Sequence, residues 1–134
     1  MSEHKVFFLP VRVYYQDTDA GGVVYHSNYV NFMERARTEW LRDLGYSHMD
    51  MIKNLDVMFV VRSIKLDYLR QAVLDDLLQV SAKIKEIGRS RVTLTQTVTR
   101  GEELLTEGEV HLVCVDVQTF KPVSVPEILR KQWN

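Results

Sequence analysis

Between Tyr14 and Val30 the chain reads YYQDTDAGGVVYHSNYV, which gathers Asp17, Asp19, Gly21, Gly22 and His26 into one short stretch. Carboxylates just ahead of a helix serve as general bases or as nucleophiles. A glycine-rich entry into a helix leaves several N–H groups unpaired at the positive end of the helix dipole. Such an end stabilises negative charge, including the oxyanion that forms when a carbonyl is attacked. Gly21 and Gly22 let backbone approach a ligand closely. The same residues also make an ordinary turn leading into a capped helix, and composition alone does not choose between the two.

Other chemistries fit less well. With Asp17 as the first position of a calcium loop, Asp19 and Gly22 fall where an EF-hand wants them. Gly21 and Asn28 then stand where an acid and a bidentate Glu belong, and the calcium reading fails. His4, His26, His48 and His111 lack metal-ligand spacing, and one cysteine cannot make a zinc set, so no metal is expected. Ser27 adjoins His26 without a nucleophile-elbow motif. Cys114, within HLVCVDV, reads as a small core residue. No Walker or dinucleotide glycine pattern exists, and no cofactor is expected.

The elements that must position the junction are legible from periodicity. KVFFLPVRVYYQ reads as a strand with Val11, Val13 and Tyr15 on one parity, and Pro10 suits an edge. After the junction, NYVNFMERARTEWLRDLG has helical period, with Tyr29, Met33, Ala36, Trp40 and Leu44 on one stripe. Asn31, Arg35, Thr38 and Arg42 lie opposite, Arg35 is expected to pair with Glu39, and Gly45 to cap the end. Ser47 to Asn54 reads as a weaker helix. From Val57 the period becomes two. Met58, Val60, Ile64, Leu66 and Tyr68 share one face, then Leu78, Val80, Ala82 and Ile84, then Val92, Leu94 and Val98. LLTEGEVHLVCVDV closes the series with an end that is apolar on both parities, which suggests that another copy covers its second face. Short turns at EIGRS and TRGEE favour antiparallel neighbours, and Pro126 to Gln132 reads as a turn or short helix. The sum is an α+β domain, one long helix packed on an antiparallel sheet.

The run from Tyr15 to Val30, Y-x-D-T-D-A-G-G-V-V-Y-H-x-x-Y-V, followed by ERARTE, resembles the 4-hydroxybenzoyl-CoA thioesterase family of hot-dog-fold proteins. It is most similar to the bacterial Tol–Pal-associated acyl-CoA thioesterase branch, with further support in FVVR (Phe59 to Arg62) and VCVD (Val113 to Asp116). The resemblance implies a long helix wrapped by a five- or six-stranded sheet over residues 1–134, and hydrolysis of acyl-CoA. It implies Asp19 as the catalytic carboxylate, the N–H at His26 as the group polarising the thioester carbonyl, and Tyr15 and the His26 side chain as orienting groups. Asp17 becomes the brace of the loop, and Gly21, Gly22, Val24 and Tyr25 the expected substrate contacts. Arg89, Ser90 and Arg91 form a basic turn that either meets coenzyme A phosphates or is a solvated hairpin. Arg37 and Arg62 carry charge within apolar patterns. Either their stems are buried with heads in solvent, or they form ion pairs near a subunit interface.

Composition sets the bounds. A chain of 134 residues, 46% hydrophobic, is one domain able to bury a core. A net charge of −1 offers no electrostatic reason for a nucleic-acid partner. No apolar run approaches the ~20 residues of a membrane span. MSEHKVFFLP lacks the layout of a signal peptide, and with one cysteine the cytoplasm is the expected compartment. The expected assembly is a homo-oligomer, a dimer of dimers, with its active site at an interface. The competing reading on the same fold is a non-catalytic acyl-CoA or acyl-carrier-protein binding module linked to phospholipid synthesis. Asp19 argues against it, since pure binding gains nothing from a carboxylate beside an electron-rich thioester. A hot-dog dehydratase would show a different, histidine-centred motif, which is missing.

Overall fold

The computed structural model describes residues 5–133; His4 lies outside them. Five antiparallel strands run in the order β1-β3-β4-β5-β2: β1 Phe7–Arg12, β2 Val57–Tyr68, β3 Leu77–Ile87, β4 Arg91–Arg100 and β5 Glu103–Asp116. Helix α1, His26–Asp43, lies against the sheet. This is the α+β arrangement that the periodicity predicts. α2, His48–Asp50, runs on into a wider helical turn at Met51–Leu55, and α3 spans Glu127–Trp133.

The weaker helix starts where a capping box demands. Ser47 Oγ accepts the Asp50 N–H at 3.1 Å, and the Asp50 carboxylate accepts the Ser47 N–H at 3.2 Å. Gly45, at φ +96°, ends α1 in the left-handed region. Arg35 does not pair with Glu39. Its guanidinium sits 6.0 Å from the Phe32 ring centroid, while Arg42 takes Glu39 at 3.2 Å, one helical turn on.

β1 stops at Arg12, so the alternation read through Tyr15 breaks. Val11 and Val13 are buried, but Tyr15 opens a single 3₁₀ turn, Tyr15–Asp17, and is 80% exposed. β2 departs from its predicted faces for another reason. Val61 pairs with Leu112 and Ser63 with His111, leaving Arg62 as an extra residue in a bulge. A bulge reverses parity, so Phe59 and Val61 share the inner face with Ile64, opposite Cys114, Leu112 and Val110. Met58 and Val60 point outward, contrary to the simple alternation. Arg62 is exposed, its head in solvent.

Two buried clusters fill the space between sheet and helix. One gathers around Val13, Tyr29, Phe32, Met33, Leu78 and Leu105, and the other around Trp40, Leu41, Leu94, Leu112, Cys114 and Leu129. A buried polar knot stands at the middle of the helix. Gln96, fully buried on β4, donates from Nε2 to the Met33 and Ser81 carbonyls at 3.1 and 3.0 Å, and accepts from Arg37 Nη1 at 2.9 Å. Arg37 is only 8% exposed, so its head does not escape to solvent. Burial lowers its pKa below the usual guanidinium value.

Val113 and Val115 are buried within one chain, where the returning C-terminal segment meets the strand end through a bridge from Val115 to Pro122. The doubly apolar end of β5 is therefore not a surface waiting for another copy. Cys114 is fully buried, and desolvation pushes its thiol up to about 11, which suits the core role read from the sequence. No helix among the described residues is long and apolar enough to cross a membrane.

Candidate active site

The junction folds as a short hairpin pinned to the start of α1. Thr18 and Val24 form an antiparallel bridge, and the Asp19 N–H donates to the Val23 carbonyl at 2.9 Å. Gly22, at φ +79°, supplies the left-handed residue this turn requires, and its N–H returns to the Asp19 carbonyl at 3.0 Å. A second set of bonds ties the hairpin to the β2–β3 connection. The Val24 N–H donates to the Ala72 carbonyl at 2.9 Å, and the Leu74 N–H donates to the Gly22 carbonyl at 3.2 Å.

The two aspartates are held differently. Asp17 is buried; its Oδ2 accepts the Tyr14 N–H at 2.8 Å. Its carbonyl accepts the Tyr25 N–H at 3.2 Å and Asn28 Nδ2 at 2.8 Å. Asp17 thereby joins the 3₁₀ turn to the first turn of the helix. Asp19 is half-buried, and both bonds to its side chain land on Oδ1, from Gly21 N–H at 2.8 Å and Val23 N–H at 3.4 Å. A Cβ at Gly21 would come within 3.3 Å of that oxygen, so glycine keeps the approach open. Oδ2 takes no hydrogen bond from the described residues. One oxygen is fixed and the other is available.

Helix α1 begins at His26 with Tyr25 as its cap residue, and no side chain caps the end. Among the described residues, the His26 and Ser27 N–H groups have no acceptor, as expected for the first positions of a helix. The bridge between Thr18 and Val24 keeps this open end on the same small hairpin as Asp19. A carboxylate with a free oxygen and a helix end with free donors are the two elements that attack on a carbonyl needs.

The other predicted residues are distributed unevenly. Val24 is 4% exposed and belongs to the core, so it anchors the loop instead of lining it. Tyr25 and Tyr15 are exposed, by 58% and 80%. Arg89, Ser90 and Arg91 form the β3–β4 hairpin, where the Gly88 N–H meets the Arg91 carbonyl at 2.7 Å. The Asp19 loop is tied to the segment that precedes β3, so the ten residues of β4 separate it from this turn. At ~3.3 Å per residue that is about 30 Å. In one chain the basic turn and Asp19 occupy opposite ends of the sheet.

Periodicity missed three residues that shape the site. Tyr68, read only as a strand residue, donates from its hydroxyl to the His26 carbonyl at 3.2 Å, and its ring lies 4.7 Å from the imidazole centroid. Tyr29, read as part of the apolar stripe, accepts the Ala72 N–H at 2.9 Å while burial raises its pKa. Asn28 makes the bond to Asp17 described above. Of these only Asn28 carried a readable signal, a cap-prone residue in the first turn.

A helix wrapped by a five-stranded antiparallel sheet, with an aspartate loop at the helix entrance, defines a hot-dog thioesterase-type domain. The chain belongs to the Thioesterase-like superfamily, whose family description matches residues 13–133. It is 46% identical over 130 residues to the acyl-CoA thioester hydrolase YbgC of Escherichia coli O6:H1, covering 96% of each chain. It is 43% identical over 128 residues to the acyl-CoA thioesterase YbgC of Haemophilus influenzae, covering 96% of this chain and 94% of that protein. The crystal structure of a probable thioesterase from Bartonella henselae superposes with a TM-score of 0.86 at 32% identity, over 91% of this chain and all of that one.

Proposed function

We propose that this chain is an acyl-CoA thioester hydrolase in which Asp19 acts on the thioester and the open N-terminus of α1 receives the oxyanion. The carrying observation is the Asp19 carboxylate, pinned through Oδ1 and free at Oδ2 on the hairpin that opens the helix. The relatives named as acyl-CoA thioesterases support this reading over the binding module. In the base route, Asp19 takes a proton from water and the hydroxide adds to the carbonyl carbon. In the nucleophile route, Oδ2 adds to that carbon and water cleaves the resulting anhydride. Either way the tetrahedral intermediate collapses by expelling the thiolate of coenzyme A, which leaves without a strong general acid and is then protonated. His26 contributes its N–H to the oxyanion, Tyr68 holds the His26 ring and carbonyl, and Tyr15 faces the incoming ligand.

The test is a panel of acyl-CoA substrates followed by release of free thiol. Thiol release that saturates with acyl-CoA is expected. Because Cys114 is buried and its thiol sits at about 11, it adds little to the colour of a thiol reagent at neutral pH. Saturable binding without turnover across the panel would favour the binding module.

We further propose that the protein works as a homo-oligomer in which the basic turn of one subunit serves the Asp19 loop of another. Tyr14, Tyr15 and Tyr25 beside the loop are each more than half exposed in one chain, an aromatic surface of the kind that partners and ligands cover. Replacing both Arg89 and Arg91 by Ala is expected to raise KM with little change in kcat, because a remote contact stabilises substrate and transition state alike. The effect should shrink as salt rises. An unchanged KM at low ionic strength would return the pair to a solvated hairpin.

A further inference from the structure

We propose that Arg130, on the C-terminal helix α3, is the positioning residue of a phosphate cradle formed by the β3–β4 turn. The proposal rests on the reading of this turn as a coenzyme A contact, and it names the residue that gives the turn its shape.

A two-residue hairpin ordinarily closes with a pair of bonds between its first and last residues. Here the Gly88 N–H meets the Arg91 carbonyl, but no bond runs back from the Arg91 N–H to the Gly88 carbonyl. Arg130 takes that carbonyl instead. Its Nη2 donates to the Gly88 carbonyl at 2.7 Å and to the Arg89 carbonyl at 2.6 Å, and its Nε donates to the Val125 carbonyl at 3.2 Å. The Val125 N–H gives the Arg89 carbonyl a second bond at 2.8 Å, and the Cys114 N–H donates to the Ser90 carbonyl at 2.7 Å.

Three successive carbonyls are thus drawn into the fold. In a trans peptide the carbonyl of one residue and the N–H of the next point to opposite sides. With Arg130 holding the Gly88 and Arg89 carbonyls, the N–H groups of Arg89 and Ser90 face away from it. Neither has an acceptor among the described residues, and the Arg91 N–H is left without its usual one. Successive unpaired main-chain donors, with two guanidiniums and a hydroxyl beside them, make an anion-binding concavity. A phosphate group supplies the several acceptor oxygens such a set needs.

The charges point the same way. Among the described residues, Arg89, Arg91 and Arg130 form no ion pair with a carboxylate. Three like charges at one turn repel, and a bound phosphate relieves that repulsion. The fork itself is delivered from a firm base. Leu129 and Trp133, on either side of Arg130, are buried in the core cluster that holds Cys114, while Arg130 is half-buried.

Calorimetric titration with coenzyme A tests this, beside turnover of S-acyl-pantetheine, which lacks the phosphates. Arg130→Met keeps the apolar stem and removes the fork. Its Kd for coenzyme A is expected to rise about tenfold, the scale of one charge-assisted hydrogen bond. KM for acyl-CoA should rise with kcat little changed, and kcat/KM for S-acyl-pantetheine should stay at the wild-type value. Arg130→Lys keeps the charge without the planar fork and should still bind coenzyme A more weakly than wild type. Wild-type affinity in Arg130→Lys would overturn the proposal, and that variant decides alone if Arg130→Met fails to fold. Equal losses on acyl-CoA and S-acyl-pantetheine would overturn it too, since a general brace acts on both. The reference is the chain with Arg89 and Arg91 both replaced by Ala. If that chain binds coenzyme A more weakly and Arg130→Met does not, the turn reading stands and this proposal falls. If that chain binds like wild type, both fall.

Discussion

Asp19→Asn is expected to lower kcat on acyl-CoA by at least ~100-fold, the lower bound for loss of a general base. The geometry makes this a clean substitution. An asparagine can keep its Oδ1 on the Gly21 and Val23 N–H groups, as Asp19 does at 2.8 and 3.4 Å, so the loop should hold its shape. The amide nitrogen then occupies the place of the free oxygen, which can neither take a proton nor attack carbon. KM should change little, and thermal stability should stay near wild type. Asp17→Asn should behave the other way. Asp17 is buried and joins the 3₁₀ turn to the helix start, so the variant should melt earlier and lose activity only as the loop loosens. Single turnover in ¹⁸O water with enzyme in excess tests the nucleophile role of Asp19. Label in the Asp19 carboxylate means covalent attack, whereas label only in the product acid means either a base acting on water or an anhydride opened at its acyl carbon. Wild-type turnover by Asp19→Asn would remove the centre of the proposed mechanism.

The site loop was legible because its chemistry is local. Two carboxylates, a left-handed glycine and a helix start within ten residues constrain one another through the chain, and the spacing survives into the structure. Strand faces were legible only as far as the register stayed regular. Nothing in VMFVVRSIKLDY marks Arg62 as the extra residue, because the bulge is set by pairing with β5, some fifty positions away. The inner face before it was therefore assigned to the wrong parity. Tyr68 shows the same limit. Its bond to His26 spans 42 residues, and a tyrosine ending a strand looks ordinary until the topology places it on the helix entrance. Arg37 was visible as a charge inside an apolar arc. Its partner Gln96 was equally visible as the polar interruption in Val92, Leu94, Val98. Neither oddity explains itself; they explain each other once helix and sheet face one another.

That pairing carries the largest stability effect expected here. Gln96→Leu keeps the volume and suits the apolar surroundings, but it removes the one acceptor of the buried Arg37 head and the donor shared by the Met33 and Ser81 carbonyls. A hydrogen bond to a charged group contributes about 1.5–3 kcal/mol and a neutral one about 1 kcal/mol, so the loss should total roughly 3–5 kcal/mol. For a chain of this size the melting temperature should fall by roughly 10–20 °C. The measurement is thermal denaturation at one fixed protein concentration, because any self-association would also contribute to the midpoint. Adding Arg37→Leu to Gln96→Leu removes the stranded charge, and the double variant should melt above the single one, since a buried polar pair replaced by apolar residues is cheaper than half a pair. If Gln96→Leu melts within about 2 °C of wild type, less than a 1 kcal/mol change would produce, the Arg37 head is satisfied from elsewhere. If the second substitution lowers the midpoint further, Arg37 stabilises the fold through contacts other than Gln96.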